Sequence, residues 1–133
     1  MINANELRIG NNLTDHHIGS LITVVEVKEN NTRCSYIRAD NGQPHISIVN
    51  NEYLKPIPLT EEILLKCGFV NTDLGFVLIT PNGTQFGLLG MRGKYSLGLS
   101  GPFGLVQPCF IEHLHQLQNL YFALSGQELV YTP

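Results

Sequence analysis

Short segments with alternating apolar and polar residues, separated by tight-turn signals, recur along this chain and restrict it to antiparallel β-structure. Residues 21–28 show the two-residue period of a half-buried strand. Asn30-Asn31 and Asn41-Gly42 mark hairpin turns, because both residue types tolerate the positive φ that a two-residue turn needs. Consecutive antiparallel strands are therefore expected up to residue 49.

The opening segment gives this β-region a more specific interpretation. Leu7-Arg8-Ile9-Gly10-Asn11, with Gly19 ahead of the valine-rich segment, resembles the start of an SH3-like barrel. We predict an N-terminal SH3-like antiparallel β lobe over residues 1–55. The chain of 133 residues is long enough for one domain or for two small lobes.

A stiff connector and a short helix are predicted between this lobe and a second β-region. Pro56-Ile57-Pro58 disfavours helix because each proline restricts the residue before it. Thr60 can cap the following helix, and Gly68 can supply its left-handed end.

Residues 69–100 predict a second antiparallel meander. Pro81-Asn82-Gly83 and Arg92-Gly93 supply its turns. Residues 76–79 are consecutively apolar, so that strand is expected to be covered on both faces.

A long helix over residues 108–125 is predicted to pack against this meander. Pro108 suits a first helical position and Gly126 a helix end. An apolar stripe follows the helical period through Phe110, Leu114, Leu117, Tyr121 and Leu124. The predicted fold class is α+β, with residues 56–133 forming a meander-plus-helix lobe that can share one compact domain with the first lobe.

Charge is unevenly distributed along the chain. The first 73 residues carry 15 charged side chains and the remaining 60 carry 4, with no acidic residue from 74 to 111. One face of the second meander can be covered by the helix, and the other must meet the N-terminal lobe, a second copy of the chain or another partner. We therefore predict a partner surface on residues 76–100, contacting a second copy of the chain or another protein.

The helix supplies four weak binding candidates. Gln118 falls within its apolar arc, where a buried amide needs hydrogen-bond partners. It can tie the helix to the sheet or line a ligand groove, which Gln116, Asn119 and Tyr121 would extend.

Metal and catalytic chemistry find little support in the sequence. His113 and His115 are two residues apart, so they do not share a helix face; His113 is expected to be partly buried and His115 exposed. His16 and His17 have no evident partners, and no metal or cofactor is predicted.

The three cysteines are predicted to be free, buried thiols of a cytoplasmic protein. Cys34, Cys67 and Cys109 are odd in number and have no metal-like spacing. Cys109 alone has a context that lowers a thiol pKa, at the predicted helix start. No nucleophile motif accompanies it, so an enzyme is not expected.

Nucleic-acid binding is the less favoured alternative function. Lys28, Arg33, Tyr36 and Arg38 can form a small basic and aromatic patch on one hairpin. Acidic residues alternate with them, and the net charge of −3 argues against a phosphate-binding role. No apolar run of membrane-spanning length exists, so no membrane partner is predicted.

Three blocks of sequence resemble a group of small proteins from Bacteroides-type gut bacteria and their phages. They are Glu6-Leu-Arg-Ile-Gly-Asn11, Pro56-Ile-Pro-Leu-Thr-Glu-Glu-Ile-Leu-Leu-Lys-Cys-Gly-Phe69 and Leu114-His-Gln-Leu-Gln-Asn-Leu-Tyr-Phe-Ala-Leu-Ser-Gly-Gln-Glu-Leu129. That group has no assigned activity, so the resemblance implies a phage or mobile-element origin and no functional residues. The expected function is a non-catalytic, self-associating interaction module.

Overall fold

The computed structural model describes residues 2–15, 20–37, 41–73, 75–81, 83, 85–91, 94–101 and 104–133. The chain divides into two compact units, Met1–Ile57 and Pro58–Pro133. Each contains an antiparallel sheet, and the second also contains a C-terminal helix. The predicted α+β class is therefore confirmed.

The N-terminal unit forms an antiparallel sheet in the order β4-β3-β2-β1-β5. Its strands are β1 Asn12–Asp15, β2 Leu21–Glu26, β3 Asn31–Ile37, β4 Pro44–Asn50 and β5 Leu54–Lys55. Short 3₁₀ helices occupy Ala4–Glu6 and Asn51–Tyr53. The first strand lies inside the sheet, because it pairs with both β2 and β5.

The SH3-like barrel expected here is not closed. Within the described residues β4 pairs only with β3 and β5 only with β1, so these two strands are the edges of an open sheet. The core lies on the inner face of the sheet and includes Leu13, Ile22, Val24 and Cys34.

A buried amide fixes the end of the N-terminal unit. The side-chain oxygen of Asn51 accepts a hydrogen bond of 2.6 Å from the Thr32 hydroxyl. Its amide nitrogen donates to the backbone carbonyls of Lys28 and Glu29, at 3.3 and 3.1 Å. Asn51 thus joins the β2–β3 turn to the second 3₁₀ helix.

The C-terminal unit is a meander whose strands pair in sequence order, β10-β9-β8-β7-β6. Its elements are α1 Glu61–Lys66, β6 Val70–Thr72, β7 Gly75–Ile79, β8 Gln85–Met91, β9 Lys94–Gly101, β10 Gly104–Ile111 and α2 Leu114–Ser125. None of the described helices is long and apolar enough to cross a membrane.

The predicted ends of α1 are confirmed. The Thr60 hydroxyl accepts a hydrogen bond of 3.2 Å from the backbone N–H of Ile63, as a helix N-cap does. Gly68 follows the helix with a φ of 94°, which glycine adopts without a Cβ penalty.

The predicted helix start at Pro108 is wrong. Residues 104–111 form the edge strand β10, and α2 begins only at Leu114. Pairing with β9 shifts register between Val106 and Cys109, which places Pro108 inside a bulge. A proline has no N–H for a ladder hydrogen bond, so an edge strand with a bulge can accept it.

Helix α2 packs on one face of the second sheet. Leu114, Leu117 and Tyr121 of the predicted stripe are buried, and the Tyr121 ring lies 5.2 Å from the Phe86 ring of β8. The backbone N–H of Leu59 donates to the carbonyl of Glu112 at 2.9 Å, which joins the start of the unit to the chain before α2.

Candidate interaction surface

The second sheet leaves the face opposite α2 largely uncovered. Phe86 points toward the helix, so Gln85 and Leu89, an odd number of residues away, point to the other face. Leu89, Ser96 and Phe110 are cross-strand neighbours in one row on that face. We call the side chains of Val77, Ile79, Leu89, Ser96 and Phe110 the open face.

Three apolar side chains of the open face are mostly in contact with solvent. Ile79 is 66% exposed, Phe110 61% and Leu89 53%. The prediction that residues 76–79 are covered on both faces is therefore wrong for Ile79, although Phe76 is buried as expected. Exposed apolar side chains grouped on one sheet face indicate an interaction site more strongly than isolated ones do.

Small residues make the middle of the open face flat. Gly87 and Gly98 are direct cross-strand partners, so neither strand raises a side chain there. Gly75 begins β7 with a φ of 114°, and a Cβ at this position would lie 2.6 Å from the carbonyl oxygen of Leu88. The floor of the face is thus close-packed backbone, which suits contact with another flat surface.

The side of the sheet that carries the open face is almost uncharged. Lys94 is the one charged residue in the described strands of the second sheet, and its Nζ atom lies 3.1 Å from the carboxylate of Glu112, the residue after β10. Both side chains are about half exposed, so this pair is worth little in stability but neutralises the charge locally. A neutral apolar face of this kind does not repel a copy of itself.

An apolar groove adjoins the open face at Phe110. It has a volume of about 410 Å³ and lies between β10 and α2. Its lining consists of Phe110, Ile111, Gln116, Asn119, Leu120 and Ala123. Phe110 therefore belongs both to the open face and to the lining of the groove.

The four helix candidates separate into two pairs. Gln116 and Asn119 line the groove, whereas Gln118 and Tyr121 are buried on the side that packs on the sheet. The Gln116 oxygen accepts hydrogen bonds of 3.1 Å from the backbone N–H groups of Glu112 and His113, so it caps the helix start. The structure does not bring the four side chains together at one site.

The basic candidates of the N-terminal unit surround an acidic residue. The Glu26 carboxylate lies 3.5 Å from the Arg33 guanidinium and 3.8 Å from the Lys28 ammonium. Tyr36 packs on the core and meets the His45 ring edge-on, with 5.4 Å between centroids. Arg38 lies outside the described residues. The described part of the patch is thus of mixed sign.

The histidine expectations are partly wrong. His115 is buried, not exposed, because it lies in the first turn of α2 and its ring stacks 5.9 Å from that of His113. His113 is half-buried and occupies the N-cap position of α2. No cluster of three metal-ligating side chains occurs among the described residues, and His16 and His17 lie outside them.

Two thiols are buried and free, as predicted. Burial, and to a smaller extent the charge of Asp15, raises the pKa of the Cys34 thiol from 9.0 to about 11. Burial alone raises the pKa of the Cys67 thiol to about 12. Cys109 lies in β10 and not at the start of a helix. The expected position of Cys109, from which a lowered thiol pKa is predicted, is therefore wrong.

The N-terminal unit has a polar cleft of about 520 Å³. Its lining is Ile2, Asn3, Ala4, Glu29, Asn30, Asn50 and Asn51. The oxygens of Asn3 and Asn50 accept backbone hydrogen bonds at the starts of the two 3₁₀ helices, and Asn51 is fully used inside the unit. These amides therefore have structural roles, and the cleft is explained by the turns that meet there.

Phe110 is the residue that sequence reasoning misplaces most. The helical period assigns it to the buried stripe, but it is an exposed residue of β10. Residues 104–111 show no two-residue alternation, because Leu105 and Val106 are both apolar and so are Cys109, Phe110 and Ile111, so no strand signal competes with the helix interpretation.

No family model, curated protein or solved structure matches this chain.

Proposed function

We propose that this protein is a non-catalytic interaction module that self-associates through the open face of its second sheet. The observation that carries the proposal is the group formed by Ile79, Leu89 and Phe110, each more than half exposed on one flat face. The resemblance of three sequence blocks to proteins of gut bacteria and their phages supports a phage or mobile-element setting.

A second copy is the best-supported occupant of this face. Apolar side chains gain from leaving water in proportion to the buried area, and they need no specific partner groups. Two-fold pairing of one patch on itself also requires that the patch not repel its copy. The Lys94–Glu112 pair meets that requirement, because it neutralises Lys94, the one charged residue in the described strands of this sheet.

The burial and the raised pKa of two of the three cysteine thiols support a non-catalytic role. A thiolate is the reactive form of cysteine, and burial raises the pKa of the Cys34 and Cys67 thiols still further above neutral pH. Both are also buried, so neither can reach a substrate.

We extend the proposal to the fold of the N-terminal unit, as an open variant of the SH3-like barrel. Its support is the strand order, in which β5 returns to pair with β1 after a 3₁₀ helix. Nucleic-acid binding by this unit has less support than self-association, because Glu26 is close to both Lys28 and Arg33.

Sedimentation velocity over a wide range of protein concentration tests the proposal. We expect the wild-type protein to show a mass that rises with concentration. Leu89→Glu places a charge in the middle of the open face, which the second copy would bury. It is expected to weaken this association at least about tenfold. Val130→Glu is the matched control, because Val130 is 67% exposed in the same unit but lies outside the open face.

Two results would contradict the proposal. One is a wild-type protein that stays monomeric at every concentration. The other is a Leu89→Glu variant that associates as strongly as the Val130→Glu control. Retardation of nucleic acid at low salt, lost in Lys28→Ala and Arg33→Ala variants, would instead favour the alternative function.

A further inference from the structure

The edges of the two sheets are protected to very different degrees. Four described strands lie at edges, and three of them are poor templates for another strand. β5 has two residues and is followed by Pro56, β6 has three residues, and β10 contains Pro108 in a bulge. Short strands, prolines and bulges are the devices by which natural proteins blunt exposed edges.

Strand β4 has only a proline at its first residue and is otherwise without these devices. Its seven residues pair with β3 without a register shift, from Asn31↔Asn50 to Ile37↔Pro44. Pro44 is its first residue, and no side chain from Pro44 to Asn50 is charged. Alternate residues of an edge strand point their N–H and C=O groups away from the sheet, and no described strand pairs with these groups on the outer edge of β4.

The side chains beside this edge are apolar. Ile46 and Ile48 lie on one face of β4 and are 57% and 60% exposed. On the neighbouring strand Ile37, the partner of Pro44, is 64% exposed. Arg33, opposite Ile48, is engaged by Glu26. The outer face next to the edge is thus suited to contact with another apolar strand.

We propose that β4 pairs antiparallel with β4 of a second copy, about a two-fold axis at Ser47. Residues directly opposite each other in a sheet have their side chains on the same face. The register of the two β4 strands can therefore shift only by amounts that keep Ile46 and Ile48 on the outer face. The register centred on Ser47 overlaps all seven residues. It places Ile46 of each copy opposite Ile48 of the other and joins the two sheets into one.

A second copy fits this edge better than an unrelated peptide does. Each copy supplies an uncharged strand of the same length, with isoleucines at the two positions that become opposite each other. The pairing also satisfies the exposed backbone groups of both edges at once, which an isologous contact requires. Because seven paired residues form a small interface, we expect a dissociation constant of about micromolar.

The experiment uses the full chain with Leu89→Glu as background, so that the open face contributes little. Ile46→Lys with Ile48→Lys puts two like charges opposite each other in both halves of the dimer. We expect this variant to lose affinity by about a hundredfold or more. Ile46→Lys with Ile48→Glu puts opposite charges at the same places and should restore the dimer to within about tenfold of the background.

Ile9→Lys is the matched control, because Ile9 is 60% exposed in the same unit and lies outside the strands. It is expected to leave the dimer unchanged. Circular dichroism confirms that the charged variants keep their β-structure, which is expected since both isoleucines are exposed. Sedimentation velocity gives the dissociation constant of each variant.

The outcomes separate this proposal from the proposed function. A monomeric Leu89→Glu background overturns β4 pairing, and it supports the open face if the wild-type protein associates under the same conditions. If Ile46→Lys with Ile48→Lys abolishes association in the wild-type background while Leu89→Glu has no effect, β4 pairing stands and the open face fails. If the Lys/Glu variant is as weak as the Lys/Lys variant, the register centred on Ser47 is wrong.

Discussion

The two sheets of this protein are both antiparallel, but they bury their apolar residues in different ways. In the N-terminal unit the last strand returns to the first, and the core lies on the inner face of the sheet. In the C-terminal unit the strands stay in sequence order, and helix α2 supplies the cover on one face.

This difference determines where apolar surface remains exposed. In the N-terminal unit the exposed apolar residues Ile46 and Ile48 lie on the edge strand β4. A sheet covered by a helix leaves the whole opposite face, and here that face holds Ile79, Leu89 and Phe110. The first arrangement favours strand pairing, and the second favours face-to-face packing.

The largest expected change in the free energy of unfolding comes from breaking the contact between the second sheet and α2. Phe86 is completely buried and its ring meets Tyr121 of the helix. Phe86→Ala is expected to lower the free energy of unfolding by about 3–5 kcal/mol, through lost burial and the cavity that remains. Urea unfolding measures this effect, and hydrogen exchange resolves it to the strands of the second sheet.

Leu13→Ala is the comparison in the N-terminal unit, where the side chain is also completely buried. About 2–5 kcal/mol is expected there. A Phe86→Ala variant that loses clearly less stability than Leu13→Ala would contradict the importance of the contact between sheet and helix.

An intermediate loss of stability is expected when a side chain is introduced at Gly75, where the backbone has a positive φ. Gly75→Ala combines a φ of 114° with a Cβ that would lie 2.6 Å from a backbone oxygen. We expect a loss of about 2–3 kcal/mol. Gly42→Ala in the N-terminal unit has a φ of 66° and open space within 4 Å, so about 1 kcal/mol is expected. Thermal unfolding distinguishes the two, and equal losses would show that β7 can move away from β8.

The smallest expected effect is on the pH dependence of the free energy of unfolding, to which the buried thiols contribute only at alkaline pH. Their pKa values are raised in the folded state, so their contribution to stability is complete below pH 9.0 and is lost as pH rises through about 11 for Cys34 and about 12 for Cys67. Cys34→Ala and Cys67→Ala should each reduce the slope of unfolding free energy against pH in that window. The larger reduction is expected for Cys67→Ala. Unchanged slopes in both variants would show that the thiols ionise as readily in the folded state as in the unfolded one.

Features that depend on a few neighbouring residues can be predicted from the sequence. The cap at Thr60 and the left-handed end at Gly68 are local signals, and the structure confirms both. The stripe of Leu114, Leu117 and Tyr121 also identifies the buried side of α2, because helical periodicity alone determines which residues share a face.

Features that depend on tertiary pairing cannot be predicted in this way. Pro108 suits either a first helical turn or a bulge in an edge strand, and pairing with β9 decides between them. The burial of His115 depends on the surroundings of the first turn of α2, which no helical wheel contains. The sequence predicts a strand that carries Ile46 and Ile48. It does not predict that this strand lies at an edge, because apolar and polar residues alternate in the same way in edge and central strands.

Of the candidate site residues, Gln116 and Asn119 lie in a groove, but no sequence signal indicates the exposed ring of Phe110 beside them. The low charge of residues 74–111 is the informative signal in the sequence, because it points to the segment that contains Ile79 and Leu89.

The strand order of the N-terminal sheet also has a consequence for how the chain folds. The Thr14 hydroxyl donates to the carbonyl of Lys55, a contact that spans 41 residues, whereas every neighbouring pair of strands in the second sheet is consecutive in sequence. Contacts between distant residues require a large loop to close before they contribute, and they slow folding. The pairing of β1 with β5 is therefore expected to be a late event, and until β5 joins it, β1 itself is a temporary free edge during synthesis.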